Sequence, residues 1–398
     1  MTTQRITRSL IVLMAAACGL SAANLYYSQP LLADIAREFN SSIREIGFIP
    51  MFTQVGYALG MLLFVPLGDM VERRRLILFM LGAVACALSL TALALNLLWL
   101  IASSLLIGVT TIVPQLLVPF AAQMARPSER GRVVGSVMSG LLIGILLART
   151  VSGFVGAQLG WRAMYWMAAA LMILLTILLG SLLPRSEPTF KGSYKELMRS
   201  LVHLIRAQPV LREAAIIGSM LFAAFSAFWT TLVFLLEQPP FHYGSQAAGL
   251  FGLVGAAGAL GASLAGQIVD RRSPQRILGL AILITIGSFV IFWLFGQSLW
   301  GLIVGVVLMD LGVQGGHVSN QTRIYSLASD AHNRLNTVYM VTYFVGGAAG
   351  SSLGAWSWSV AGWTGVCITG LIFLTASLLF FLKARSSEVS LKSPVKDS

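Results

Sequence analysis

Apolar residues along this chain come in runs of about twenty, parted by short stretches that carry nearly all of the charge. A helix rises about 1.5 Å per residue, so one such run covers the roughly 30 Å hydrocarbon core of a bilayer. Twelve runs are predicted as membrane helices. The first six are 7–28, 46–68, 76–95, 98–122, 132–156 and 163–183; the second six are 214–236, 247–269, 277–295, 299–323, 336–357 and 363–383. Strand alternation is absent, and backbone inside lipid must satisfy its own polar groups, so the runs read as helices. The expected fold is an all-α membrane protein.

Composition agrees. Of 398 residues, 57% are apolar and 11% are charged, too little polar surface to cover a soluble globule of that size. The net charge of +12 is spread thinly between apolar runs, which argues against a nucleic-acid partner. Of the 27 Lys and Arg residues, 23 fall on the side that holds both termini, while Arg37, Arg44 and Arg162 fall on the other. The positive-inside rule then places both termini in the cytoplasm and the chain in the cell's inner (plasma) membrane as a multi-pass protein. Cys18, Cys86 and Cys367 lie apart, each inside an apolar run, so neither a disulfide framework nor a metal site is expected.

The longest hydrophilic stretch, Pro184–Glu213, mixes Lys195, Arg199, Arg206 and Arg212 with Leu197, Leu201 and Leu204. That spacing suits an amphipathic helix lying on an anionic leaflet, and a plain linker between two halves is the other reading. The stretch also divides the chain into a first six-helix bundle (1–183), a cytoplasmic linker (184–213) and a second six-helix bundle with a short tail (214–398). Displacing the sequence by 202 positions brings Phe39 onto Phe241, Gly47 onto Gly249, Arg132 onto Arg334, Gly144 onto Gly346, and Gly160-Trp161 onto Gly362-Trp363. The two bundles are therefore expected to be related by an internal repeat, a construction that puts a solute site between halves near the membrane midplane.

Charge inside a span costs roughly 2.5–3.5 kcal/mol at the helix centre and marks function. Arg149 in span five and Asp310 in span ten are two such groups, about 12 and 16 Å from the same membrane face. Similar depth allows them to pair. Asp310, Gln314, His317 and Gln321 recur at steps of four, three and four, a single helical face suited to a water-filled cavity. Asn24, Tyr27 and Ser28 in span one, Gln54 and Tyr57 in span two, Ser226, Trp229 and Thr230 in span seven, and Asn336, Tyr339 and Tyr343 in span eleven form further polar or aromatic faces. Tyr26 is expected in an interfacial belt. Asp310, His317 and Arg149 are the candidate proton-coupling residues. With Asn24, Tyr27, Gln54, Tyr57, Trp229, Gln314, Tyr339 and Tyr343, they are also the candidate lining of a solute cavity.

The loop after span two reads Pro66-Leu67-Gly68-Asp69-Met70-Val71-Glu72-Arg73-Arg74-Arg75, and that after span eight contains Gly266 and Asp270-Arg271-Arg272. Both resemble the G-x-L-x-D-R-x-G-R-R signature of the major facilitator superfamily, at the two places where that family carries it. The resemblance implies that Asp69, Arg73, Arg74, Glu129, Arg130, Asp270 and Arg271 form a cytoplasmic latch between helix ends. Span five resembles the exporter pattern G-x8-G-x3-G-P-x2-G-G through Gly135, Gly144 and Gly153, with Ala148-Arg149 where the pattern has Gly-Pro. That spacing is similar to the twelve-span drug/proton antiporter branch, and Asn24-Leu25-Tyr26-Tyr27-Ser28-Gln29-Pro30 resembles an N-Y-Y-x-Q-P subgroup of prokaryotic members.

The implied function is secondary active transport of a small organic solute by alternating access, coupled to protons, with export favoured. Uptake of a sugar, amino acid or organic acid by proton symport is the alternative, and a non-transporting membrane sensor or assembly partner the alternative of another class. No nucleotide-binding motif, paired catalytic carboxylates or nucleophile–base set is present, so neither an enzyme nor a cofactor is expected. The expected partners are the solute, protons and the lipid bilayer, with the chain a monomer.

Overall fold

The computed structural model describes residues 7–126, 128–186, 188, 192–269, 273–327 and 332–392. Its helices are α1 (Arg8–Ala23), α2 (Ser28–Phe39), α3 (Ile43–Ile46), α4 (Phe48–Phe64), α5 (Arg73–Ala92), α6 (Leu97–Thr110), α7 (Val113–Met124), α8 (Arg130–Leu159) and α9 (Trp161–Leu182). There follow α10 (Tyr194–Ala207), α11 (Pro209–Glu237), α12 (Ser245–Val269), α13 (Pro274–Phe295), α14 (Leu299–Tyr325) and α15 (His332–Lys392). Among the described residues, ten segments are long and apolar enough to cross a membrane; one of them, Asn333–Arg385, has 53 residues. That segment breaks at Ala361 and Gly362 and holds two spans. Counting the 25-residue α12 as well, the described residues hold twelve helical segments of spanning length, the number the apolar runs predict.

Local chemistry sets the helix ends. The Thr7 hydroxyl accepts from the Leu10 amide at 3.2 Å and the Asn96 side chain from the Trp99 amide at 2.9 Å, each satisfying a first-turn N–H. Ser42 and Glu45 close a capping box at α3. Asn40 ends α2 in the left-handed conformation, φ 48°, which a short polar side chain tolerates.

The chain forms two compact units, Met1–Arg199 with Trp229–Val254, and Ser200–Phe228 with Gly255–Ser398. Within the first, α1 crosses α8, α4 crosses α6 and α5 packs on α9. At the α1–α8 crossing a Cβ on Gly140 or Gly144 would overlap the Ala15 or Gly19 carbonyl. The second unit has a like contact, with Gly346 falling 202 positions after Gly144: a Cβ on Gly346 or Gly350 of α15 would overlap the Ser219 or Ala223 carbonyl of α11. Small residues at four-residue spacing let these backbones touch. The helix turns repeat as well. Gly160 and Gly362 both take positive φ, 83° and 57°, where each half passes from its fifth to its sixth span. The tryptophan after each glycine anchors its turn, Trp161 by donating to Glu38 at 2.6 Å and Trp363 by donating to the Phe292 carbonyl at 2.8 Å.

A bulky side chain at such a crossing should separate the helices. Gly144→Leu is expected to lower thermal stability by about 3 kcal/mol or more, since overpacking against backbone has no rotamer that relieves it. Gly82→Leu, where nothing lies within 4 Å, should be silent in the same thermal melt.

Candidate functional site

Span one is not a continuous helix. Between α1 and α2 the amides of Asn24, Leu25 and Tyr26 bond only three residues back, at 3.2, 3.2 and 3.0 Å, a tightened turn. Pro30 then falls in the first turn of α2, where a missing N–H costs little. The turn sets the Tyr26 ring and the Tyr27 carbonyl against α8. Ser152 donates to the Tyr27 carbonyl at 2.5 Å, satisfying backbone that lipid would leave bare.

Arg149 sits in this notch, 3% exposed. Its Nε donates to Gln29 Oε1 at 2.6 Å, and its guanidinium lies 4.8 Å from the Tyr26 ring centre and 4.1 Å from that of Trp229. Aromatic faces hold a cation out of water through the ring quadrupole, and a planar guanidinium suits that slot better than an ammonium would. Gly252 of α12 admits the arrangement, since its own Cβ would come within 3.0 Å of the Arg149 Cβ. Gln29, Pro30, Arg149, Trp229 and Ala248 line a narrow crevice here. Such a caged, oriented cation can present planar donors to an anionic or carbonyl-bearing group. Tyr26 is thus not part of an interfacial belt: it is 8% exposed, with its ring under Arg149.

The other candidates of the first unit, Asn24, Tyr27, Gln54 and Tyr57, are buried as well. Asn24 is 3% exposed, with its amide 3.6 Å from the Met172 sulfur. Gln54 and Tyr57 lie buried on α4, and Gln115 Nε2 donates to the Tyr57 hydroxyl at 3.2 Å. Gln115 stands in α7 just past a second interrupted span, where Pro114 follows the break at Thr111 and Ile112. Two broken helices in one unit are the construction by which membrane proteins expose polar backbone to a site.

In the second unit the α14 stripe meets the aromatic face of α15. His317 Nδ1 lies 3.1 Å from the Tyr339 hydroxyl, the His317 ring centre lies 4.9 Å from that of Tyr343, and Gln321 donates to Asn336 at 3.4 Å. Phe222 of α11 stacks on Tyr343 at 4.1 Å. Gln314 and His317 are half-buried and Asp310 is 4% exposed. Asp310 also occupies a repeat position. In the first unit Gly56 of α4 crosses Gly108 of α6; 202 positions on, Gly258 of α12 crosses Asp310 of α14, with 3.0 Å between the Asp310 Cβ and the place of a Gly258 Cβ. A carboxylate therefore stands where the other half has a bare backbone contact. Arg149 belongs to the first unit and Asp310 to the second.

At the basic end of the first unit, Arg73 is nearly buried. Its guanidinium donates to the Gly68 carbonyl at 2.9 Å, to Gln123 of α7 at 3.0 Å and to Asp69 at 2.5 Å. Arg74 donates to the Gly180 carbonyl of α9, and Arg130 to the Ala122 carbonyl at 3.0 Å. Glu129 stands at the N-cap position of α8 with no side-chain capping bond. Asp270 and Arg271 lie outside the described residues. Asp69→Asn should leave a folded protein, because the Asp69 side chain is 30% exposed and its pair contributes roughly 1 kcal/mol after solvent screening. Its expected effect is a several-fold slower flux in proteoliposomes at unchanged expression.

The family model described as Major Facilitator Superfamily matches residues 13–351. The chain belongs to the Major Facilitator Superfamily, a family of membrane transporters. It is 45% identical over 374 residues to the uncharacterized transporter YgaY of Escherichia coli O157:H7, covering 94% of this chain and 95% of that one. It is 23% identical to a probable sugar efflux transporter of Helicobacter pylori strain 26695, over 82% of each chain. A bacterial homolog of the human lysosomal transporter Spinster, solved inward-facing and occupied, shares the fold with a TM-score of 0.76 at 14% identity, covering 95% of this chain and 96% of that one.

Proposed function

We propose that the protein is a proton-coupled secondary active transporter that exports a small organic solute by alternating access. It belongs, on this reading, to the drug/proton antiporter-like branch and its N-Y-Y-x-Q-P subgroup. It works as a monomer in the plasma membrane with both termini in the cytoplasm, its bundles 1–183 and 214–398 joined by the 184–213 linker. The observation that carries the reading is Arg149: an arginine buried in a span, clasped by Gln29, Tyr26 and Trp229 at a break in span one. Buried charge of this kind is costly and is kept for function. Export is supported by the Gly135, Gly144 and Gly153 spacing and by the efflux role named for the Helicobacter relative.

Asp310 is the coupling carboxylate, and Arg149 its partner in one state of the cycle. A carboxylate beside a guanidinium keeps its charge, whereas one isolated in a low-dielectric cavity takes up a proton. His317, one helical face along and hydrogen-bonded to Tyr339, relays the proton or tunes the polarity of its path. Asp69, Arg73, Arg74, Glu129, Arg130, Asp270 and Arg271 form the latch that times the cytoplasmic opening.

A panel of sugars, amino acids, organic acids and amphiphilic cations, read by thermal shift of the purified protein, tests the solute site. One class should stabilise the wild type, by about 2.7 kcal/mol at a hundredfold excess over its dissociation constant. Arg149→Ala should lose that shift. An equal shift in Arg149→Ala would remove Arg149 from the site. Sugars head the panel because of the relative's name.

A further inference from the structure

Helix α10, which lies between the two sets of six spans, carries an exposed face of its own. It starts at a capping box, the Glu196 amide donating to the Ser193 hydroxyl at 3.3 Å and the Ser193 amide to the Glu196 carboxylate at 3.0 Å. It is held at both ends. Tyr194 donates to the Leu63 carbonyl at 3.0 Å, which sets the helix at the level where α4 leaves the membrane. Arg212 donates to the Ile205 and Arg206 carbonyls at 2.8 and 2.7 Å, which closes its last turn.

Two of the leucines that mark α10 as amphipathic face protein. Leu197 and Leu201 are 6% and 3% exposed, packed on protein. One step round the helix, Val202 and Ile205 are 48% and 40% exposed, with Met198 half-buried between them. The next strip round, at 100° per residue, is Lys195, Arg206 and Arg199, all exposed. His203 and Glu196 complete the turn on the far side. The order is thus protein-facing, apolar, basic, polar.

We infer that α10 is a lipid-binding helix that lies on the bilayer by its edge. Val202 and Ile205 enter the acyl boundary while Lys195, Arg199 and Arg206 take the phosphates of anionic phospholipid. The order of strips is what selects this occupant. An apolar edge flanked on one side by three cations, at the height of a membrane surface, matches headgroup above and chain below. Each basic side chain near the surface favours an anionic lipid by about fivefold. The inference does not depend on the proposed solute, since its readout is contact with lipid.

The test uses the full-length protein in liposomes, with Cys86, the exposed native cysteine, replaced by Ser. A bimane probe is placed at Val202→Cys or His203→Cys, and quenched from the lipid by doxyl phosphatidylcholine or from water by iodide. The lipid quencher should act at least about twice as strongly at 202 as at 203, and more strongly when phosphatidylglycerol replaces part of the phosphatidylcholine. The triple variant Lys195→Gln, Arg199→Gln, Arg206→Gln should lose that increase. Iodide quenching at 202 equal to that at 203 would make this a solvent face and overturn the inference. Protection of 202 from both quenchers would mean that protein covers it, and an increase that persists in the triple variant would remove the anionic headgroup; either also overturns it. Native mass spectrometry of the protein with Val202 intact should show phosphatidylglycerol retained by the wild type and lost from the triple variant.

Discussion

Arg149→Lys is expected to lower solute-dependent flux in proteoliposomes by about thirtyfold or more while leaving an inserted, folded protein. Lysine keeps the positive charge, so a role for charge alone would be preserved. It lacks the flat face that fits between Tyr26 and Trp229, at 4.8 and 4.1 Å, and the Nε donor that reaches Gln29 at 2.6 Å. A desolvated cation–π contact and a hydrogen bond from a charged donor each contribute about 2 kcal/mol, and loss of one is about thirtyfold. Arg149→Ala should go further and impair solute exchange as well as uphill accumulation, because on the proposed function it takes away the group that orients the solute. Gln29→Leu, which spares the rings, should fall between wild type and Arg149→Lys. Wild-type flux in Arg149→Lys would show that the cage is only packing.

Asp310→Asn should separate coupling from movement. The amide keeps the volume and half of the hydrogen-bonding of the carboxylate but cannot carry a proton through the cycle. Uphill accumulation driven by a pH gradient should therefore vanish, while exchange of labelled solute for unlabelled continues. The position favours this outcome. Asp310 lies at the α12–α14 crossing, against Gly258, at the place where the first unit has Gly108 against Gly56. A change of charge there acts on a close helix contact, which on the proposed function shifts during the cycle. Uphill transport by Asp310→Asn with an unchanged pH profile would make Asp310 a structural group.

The twelve spans were legible because each needs only about twenty apolar residues, a property read without tertiary contacts. The repeat was legible at Gly160-Trp161 and Gly362-Trp363 because both glycines serve a positive φ that other residues resist. Arg149 and Asp310 stood out because charge in lipid is costly. What surrounds them did not. Gln29 clasps Arg149 from 120 positions away, and its only signal was its place in the N-Y-Y-x-Q-P run. The break at Asn24–Tyr27 leaves hydropathy unchanged, so span one read as a continuous helix; Pro30 alone hinted at it. For α10 the period announced an amphipathic helix, yet which apolar strip met protein and which stayed open is decided by neighbours. The symmetry of Gly108 and Asp310 lay in the sequence at the same offset of 202, hidden because the two residues are chemically unlike.

The central proposal is that solute movement through the protein is coupled to proton movement the other way. Proteoliposomes loaded with the pH dye pyranine, and given each solute of the panel from outside in the absence of a membrane potential, test it most directly. For the solute that shifts the melting of the wild type, internal pH should change on its addition, in the direction of proton antiport, and Asp310→Asn should abolish the pH change while labelled solute still exchanges. Solute exchange by the wild type with no proton movement, or proton movement that persists in Asp310→Asn, would contradict the account.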